Sequence, residues 1–151
     1  MDSLTLKENG FADFVPLKGL QFSSLPLNKA GILVLADSTL TGKAAASDIL
    51  YIGKTKKLNK KVFGGYLAGF GGKTTRRIHT KLLGDGFIEK VTISWMLDQN
   101  PKTKQQELLN SFQKEHNECP PWNASKKAPV NLKPAPKVAK PRPSKKQPVK
   151  R

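Results

Sequence analysis

Thiols and imidazoles are scarce in this chain, which has one cysteine, Cys119, and two histidines, His79 and His116. A lone cysteine excludes an internal disulfide and suits a reducing compartment. These three residues also fall short of the four ligands that a structural zinc site takes. No long apolar run occurs, so no segment is expected to span a bilayer. The N-terminal "MDSLTLKENGFADF" has early acidic residues and lacks an apolar core, so no signal peptide is expected. Carboxylates are missing altogether from residues 124–151, which hold ten Lys/Arg and six Pro.

What is present is positive charge. The 151 residues carry 27 Lys+Arg against 11 Asp+Glu, a net of +16. Residues 1–123 keep 17 of the basic and all 11 acidic side chains, a net of +6. The chain therefore divides into a moderately basic domain and a strongly basic tail. Charge of this sign attracts polyanions. DNA is the first partner to consider and RNA the next; an anionic membrane surface is weaker, and no membrane partner is expected. The corresponding location is the cytoplasm, with the nucleoid, or the nucleus in a eukaryote.

Residues 1–29 read as a polar lead-in whose Phe11, Phe14, Leu17, Leu20 and Phe22 pack on the core. "GILVLA" (31–36) reads as a buried strand, and "ILYIG" (49–53) as a second, joined by a short turn-rich link that predicts an antiparallel hairpin. Leu58, Val62 and Tyr66 fall at helical spacing in 57–67, and "TTRRIHTKLL" (74–83) predicts a helix ending at Gly84. "VTISWML" (91–97) is rich in β-formers and reads as a third strand. Asn100 followed by Pro101 is a helix start, with Leu108, Leu109 and Phe112 facing the core. The fold class is α/β of the α+β type. It has a small three-stranded, mainly antiparallel sheet flanked by helices. The globular part ends near Asn123. The Lys/Pro-rich remainder, 124–151, has too little apolar area to order itself.

"GFGGKT" suggests a phosphate loop and fails the test, because the glycine required five positions before Gly72 is Leu67 and no strand precedes it directly. The glycines are better read as a tight loop that approaches a phosphate backbone. Taken singly, Tyr51 reads as an ordinary strand tyrosine and Lys54, Lys56, Lys57 and Lys60 as a solvated surface; taken together with the basic segment, Lys56, Lys57 and Lys60 are expected to contact nucleic acid, as are Lys126 and Lys127 of the tail. Lys73, Arg76 and Arg77 fit phosphate contacts or an exposed helix face equally well. Lys126 and Lys127 open the basic tail. Trp122, between prolines and Asn123, reads as a core plug.

The order of elements says more than any one of them. Gly31-Ile32-Leu33 opens one strand, Tyr51-Ile52-Gly53 closes the next, a basic helix follows, a later helix carries Glu107, and Asn123 ends the domain. Over 30–123 the chain resembles the GIY-YIG nuclease family. The resemblance implies a metal-dependent DNA endonuclease, a hydrolase acting on phosphodiester bonds. In that role Tyr51 would activate the attacking water, Lys54 would match a lysine of the repair branch, and Tyr66 would match a tyrosine or histidine of the basic helix. Glu107 would be the metal carboxylate, with Mg²⁺ or Mn²⁺ as cofactor, and Asn123 would match the asparagine near the domain end.

Two positions depart from the family pattern. Leu33 stands where the first element ends in tyrosine, which removes a hydroxyl. Lys61 stands where the basic helix carries arginine, which replaces a bidentate phosphate clamp by a point charge. Both bear on catalysis rather than on fold.

The chemistry implied needs an activated water, a metal and cations on the nonbridging oxygens. Tyrosine is a poor base at neutral pH. A neighbouring Lys54 is expected to favour its phenolate. The competing reading is a catalytically degenerate relative that binds nucleic acid without cutting it. A third is a ribosome- or RNA-associated basic protein. Any sequence specificity must come from the small domain, the tail or the partner subunit of a homodimer.

Overall fold

The run "GILVLA" becomes an inner strand, β2 (Gly31–Asp37), buried along its whole length. β3 (Ile49–Thr55) pairs antiparallel with one edge of it and β4 (Val91–Leu97) antiparallel with the other. The computed structural model describes residues 1–40 and 47–123. The tail 124–151, with Lys126 and Lys127, lies outside the described residues.

Elements pack on both faces of the sheet, which is why β2 reads as unbroken hydrophobicity rather than as alternation. Its side chains divide between two cores with the strand period of two. Leu33 and Leu35 join Tyr51, Ile93, Leu58, Val62, Tyr66, Ile78 and Leu82 on one face. Ile32 and Val34 join Ile52, Leu6, Phe11 and Phe112 on the other.

The sheet has four strands, in the order β1-β4-β2-β3, rather than the three expected. The extra one, β1 (Val15–Pro16), pairs antiparallel with β4 through Val15 and Ile93. Two residues are too short to leave a periodic pattern. Pro16 has no N–H to give to a ladder, so it fits an edge strand and argues against reading one.

The lead-in begins with helix α1 (Ser3–Glu8), capped by the Asp2 carboxylate, which accepts from the Thr5 N–H at 2.9 Å. Leu6, Phe11, Leu17 and Leu25 are all buried. Asn59, itself buried, donates to the carbonyls of Phe22 at 2.7 Å and Leu25 at 3.3 Å and so fastens the lead-in to the next helix.

That helix, α2 (Leu58–Lys60), makes one α-turn and then widens into a π-helical stretch, Lys61–Tyr66. The sequence spacing predicts a plain α-helix here. Gly64 and Gly65 resist the helix least and favour it least, and the chain takes the wider turn, with Leu67 N–H donating to Val62 C=O at 2.9 Å. Leu58, Val62 and Tyr66 still share the buried face. Helix α3 (Lys73–His79) continues in the same way through Thr80–Gly84.

Helix α4 (Pro101–His116) starts at the expected proline, but the Asn100 side chain makes no capping bond. Phe112 is buried, while Leu108 and Leu109 are half-buried at the rim of the second core. Beyond α4, Trp122 plugs the first core as expected, its ring edge-on to Phe87 at 5.1 Å. Among the described residues no helix is long and apolar enough to cross a membrane.

Candidate nucleic-acid interface

Tyr51 and Gly53 lie two apart on β3 and therefore on one face of the strand. The Tyr51 ring leans over Gly53 so closely that a Cβ there would sit 2.5 Å from the ring's Cε2. The glycine of Tyr-Ile-Gly is thus the space into which the tyrosine folds. The ring then meets Tyr66 edge-on, with centroids 6.1 Å apart and planes at 87°. Leu33, cross-strand from Gly53, belongs to the same apolar cluster.

This setting decides the protonation of both phenols. Burial raises the pKa of Tyr51, and it outweighs the hydrogen bond from Tyr66 and the attraction of Arg77, which act the other way. Tyr66 is raised well above the ordinary value, first by burial and then by its hydrogen bond to Tyr51 and repulsion between the two phenolates. The expected phenolate beside Lys54 is therefore corrected. Lys54 is exposed, and the cation that acts on the Tyr51 phenol is Arg77. At neutral pH Tyr51 is a hydroxyl that can donate or accept a hydrogen bond.

The fold brings Tyr51, Lys54, Lys61 and Asn123 together around one cleft of about 370 Å³, with Tyr66 packed behind Tyr51. Lys61 is half-buried and donates to Thr75 Oγ1 at 3.2 Å. Its pKa is lowered by burial first and by the nearby Lys54 second. Asn123 spends its amide on the backbone of β3: Nδ2 donates to Ile52 C=O at 2.9 Å and Oδ1 accepts from Ile52 N–H at 3.0 Å.

Glu107 is not among these residues. It is exposed on α4, and Gln105 lines the cleft instead, donating to Ile52 C=O at 3.0 Å. At about 100° per residue, Glu107 points roughly 200° away from Gln105 around the helix. No carboxylate lines the cleft. Among the described residues no group of three or more His, Cys, Asp or Glu could hold a metal ion. Mg²⁺ and Mn²⁺ take oxygen ligands, with at least one carboxylate as a rule. A cleft whose polar wall is two lysines, a tyrosine, two threonines and two carboxamides already engaged on Ile52 does not fit either ion.

Two further clefts adjoin the first through shared residues. One, of about 640 Å³, is lined by Lys56, Lys57, Lys60, Lys61 and the glycine-rich loop at Phe70 and Gly71. The other, of about 610 Å³, is lined by Lys54, Lys56, Lys61 and Lys102. Lys61 borders all three, and none of them has a carboxylate in its wall. The result is a cation-lined groove in which Lys61 is the common residue. Lys73 and Arg76 are exposed on α3 and border none of the three. Arg77 is turned inward and donates to the Trp122 carbonyl at 2.7 Å.

Sequence reasoning missed Lys102, Gln105 and Phe70. The helical phase of α4 carried the signal for Gln105, since it falls three and four residues before Leu108 and Leu109. Lys102 and Phe70 had no such signal. No family model matches the chain, and neither a curated protein nor a solved structure does.

Proposed function

We propose that the chain is a nucleic-acid-binding protein that holds the phosphate backbone in the groove around Lys61. One observation carries this reading: three adjoining clefts share Lys61, lysines recur along them, and no carboxylate breaks the positive wall. Cations without acidic neighbours release counterions when they meet phosphates. The ten basic residues of 124–151 add sequence-independent attraction of the same kind. A groove that reads only phosphate accepts DNA and RNA alike.

The test is anisotropy of labelled duplex DNA and RNA against salt concentration. If four lysines contact phosphates, the groove contributes a slope of about −3.6 in log K against log salt on duplex DNA. Salt-independent binding, or none, sinks the reading.

A second reading is favoured by the clustering of Tyr51, Lys54, Lys61 and Asn123 in one cleft. It is phosphodiester hydrolysis of the kind the GIY-YIG resemblance implies, with the Tyr51 hydroxyl orienting water and lysines neutralising the nonbridging oxygens. Nicking of supercoiled plasmid, with and without Mg²⁺ or Mn²⁺, separates the two. The binding reading expects no nicking above background. Nicking that Tyr51→Phe abolishes would favour hydrolysis.

A further inference from the structure

Phe70 has the highest exposure of the large hydrophobic side chains among the described residues, at 77%. It stands in the loop "AGFGGK", between Gly69 at φ +90° and Gly71 at φ +137°. Both flanking residues adopt backbone angles that a side chain disfavours, so the loop's glycines present this one ring. The loop is fastened at its base. Gly69 N–H donates to Gly65 C=O at 2.7 Å and Phe70 N–H to Gly64 C=O at 3.0 Å. A Cβ at Gly71 would meet Thr75 at 3.2 Å, and one at Gly69 would meet the His79 ring at 3.0 Å. The exposure of Phe70 is thus built into the loop, although burying a phenyl ring would be favourable.

The ring also has a fixed setting. It borders the cleft whose wall carries Lys56, Lys57, Lys60 and Lys61. An aromatic face beside a row of cations is the combination that takes unpaired nucleic acid: the cations track the backbone and the ring stacks on a base. In a duplex both faces of a base are already covered by its neighbours, so an exposed ring finds no partner there.

We propose that Phe70 is a base-stacking platform, and that the groove prefers single-stranded or locally unpaired nucleic acid. This rests on the groove being a nucleic-acid site, and it adds the form of nucleic acid and the residue that selects it.

The test uses the full chain, a short labelled single strand, the matching duplex, and a single strand carrying 2-aminopurine, whose fluorescence falls on stacking. Phe70→Ala should weaken single-strand binding by about 5- to 20-fold, the lower part of the range for loss of one stacked base. Phe70→Tyr should keep the affinity and the quenching. Phe70→Leu, apolar but without a π-face, should lose the quenching. In Phe70→Ala, duplex binding should fall by less than single-strand binding does. Equal losses on single strand and duplex, or unchanged quenching in Phe70→Ala, overturn the stacking role while leaving the phosphate groove intact. Absence of wild-type binding to either form overturns the groove and the platform together.

Discussion

Asn123 pairs with both backbone groups of Ile52, donating to its carbonyl at 2.9 Å and accepting from its N–H at 3.0 Å. One residue earlier, Trp122 N–H donates to Leu50 C=O at 2.8 Å. β3 is an edge strand, and these two residues occupy the hydrogen-bonding positions that another strand would take. Asn123→Asp removes the donor and sets a carboxylate against a carbonyl. The Ile52 carbonyl keeps the Gln105 donor at 3.0 Å, so the expected loss is that of one hydrogen bond, about 0.5–1.5 kcal/mol of stability. Urea denaturation of the two proteins checks it, and equal midpoints would mean that Gln105 alone satisfies the Ile52 carbonyl.

Gly53→Ala should disturb the fold where Gly72→Ala does not. A Cβ at Gly53 falls 2.5 Å from the Tyr51 ring, whereas one at Gly72 has nothing within 4 Å. Overpacking of this kind typically costs about 1–3 kcal/mol, against about 0.5 kcal/mol or less for a surface change. The two midpoints in a denaturation series should separate accordingly, with the tyrosine signal in near-ultraviolet circular dichroism altered in Gly53→Ala alone.

Tyr51 and Tyr66 are the chain's only tyrosines, so the rise in phenolate absorbance with pH reports these two alone, because Trp95 and Trp122 do not ionise there. Both folded pKa values lie above the ordinary 10.0. The folded state therefore holds these protons where the unfolded state has lost them. Their contribution to stability is full below about pH 10 and is lost as pH rises through the folded values. Phenolate absorbance should appear late and together with loss of secondary structure. Two independent phenols titrating at the ordinary value in the folded protein would contradict their burial.

Lys61→Met should weaken duplex binding and flatten the salt slope by about 0.9, one phosphate contact. Lys18→Met is the control, because Lys18 is exposed and bonded to Glu89 at 2.8 Å. The lowered pKa of Lys61 sets a pH dependence as well. A bound phosphate favours the ammonium, so affinity should fall as pH rises through a value below 10.5. The folding term has the opposite sign, since the unfolded chain keeps the proton longer and stability gains over that window. An affinity flat with pH in wild type would remove Lys61 from the contact.

Truncation after Asn123 lowers the net charge from +16 to +6. If about five of the ten removed cations contact phosphates, the salt slope should flatten by roughly 4 to 5. Identical slopes for the full and truncated chains would assign all the electrostatic binding to the domain.

Much of the fold could be read from short apolar runs. "GILVLA", "ILYIG" and "VTISWML" announce strands because their composition and length leave few alternatives. Val15–Pro16 could not be read, since its strand character comes from pairing with β4 rather than from any pattern of its own. Of the candidate residues, Tyr51, Lys54, Lys61 and Asn123 come together around one cleft and Glu107 lies outside it, since counting around α4 from Leu108 and Leu109 puts Gln105 inward and Glu107 outward. The state of Tyr51 was beyond composition and spacing, because desolvation depends on how Leu33, Gly53 and Tyr66 close around the ring.

Asn123 borders the same cleft as Tyr51 and Lys61. The ten cations that follow it in the sequence are therefore joined to the domain at a residue of that cleft. On the proposed reading, a strand held in the cleft would meet them as part of the same molecule rather than at their bulk concentration, and two weak attractions joined in this way would act as one avid contact. Moving the same basic sequence to the N-terminus would keep the net charge and lose the advantage of its attachment point.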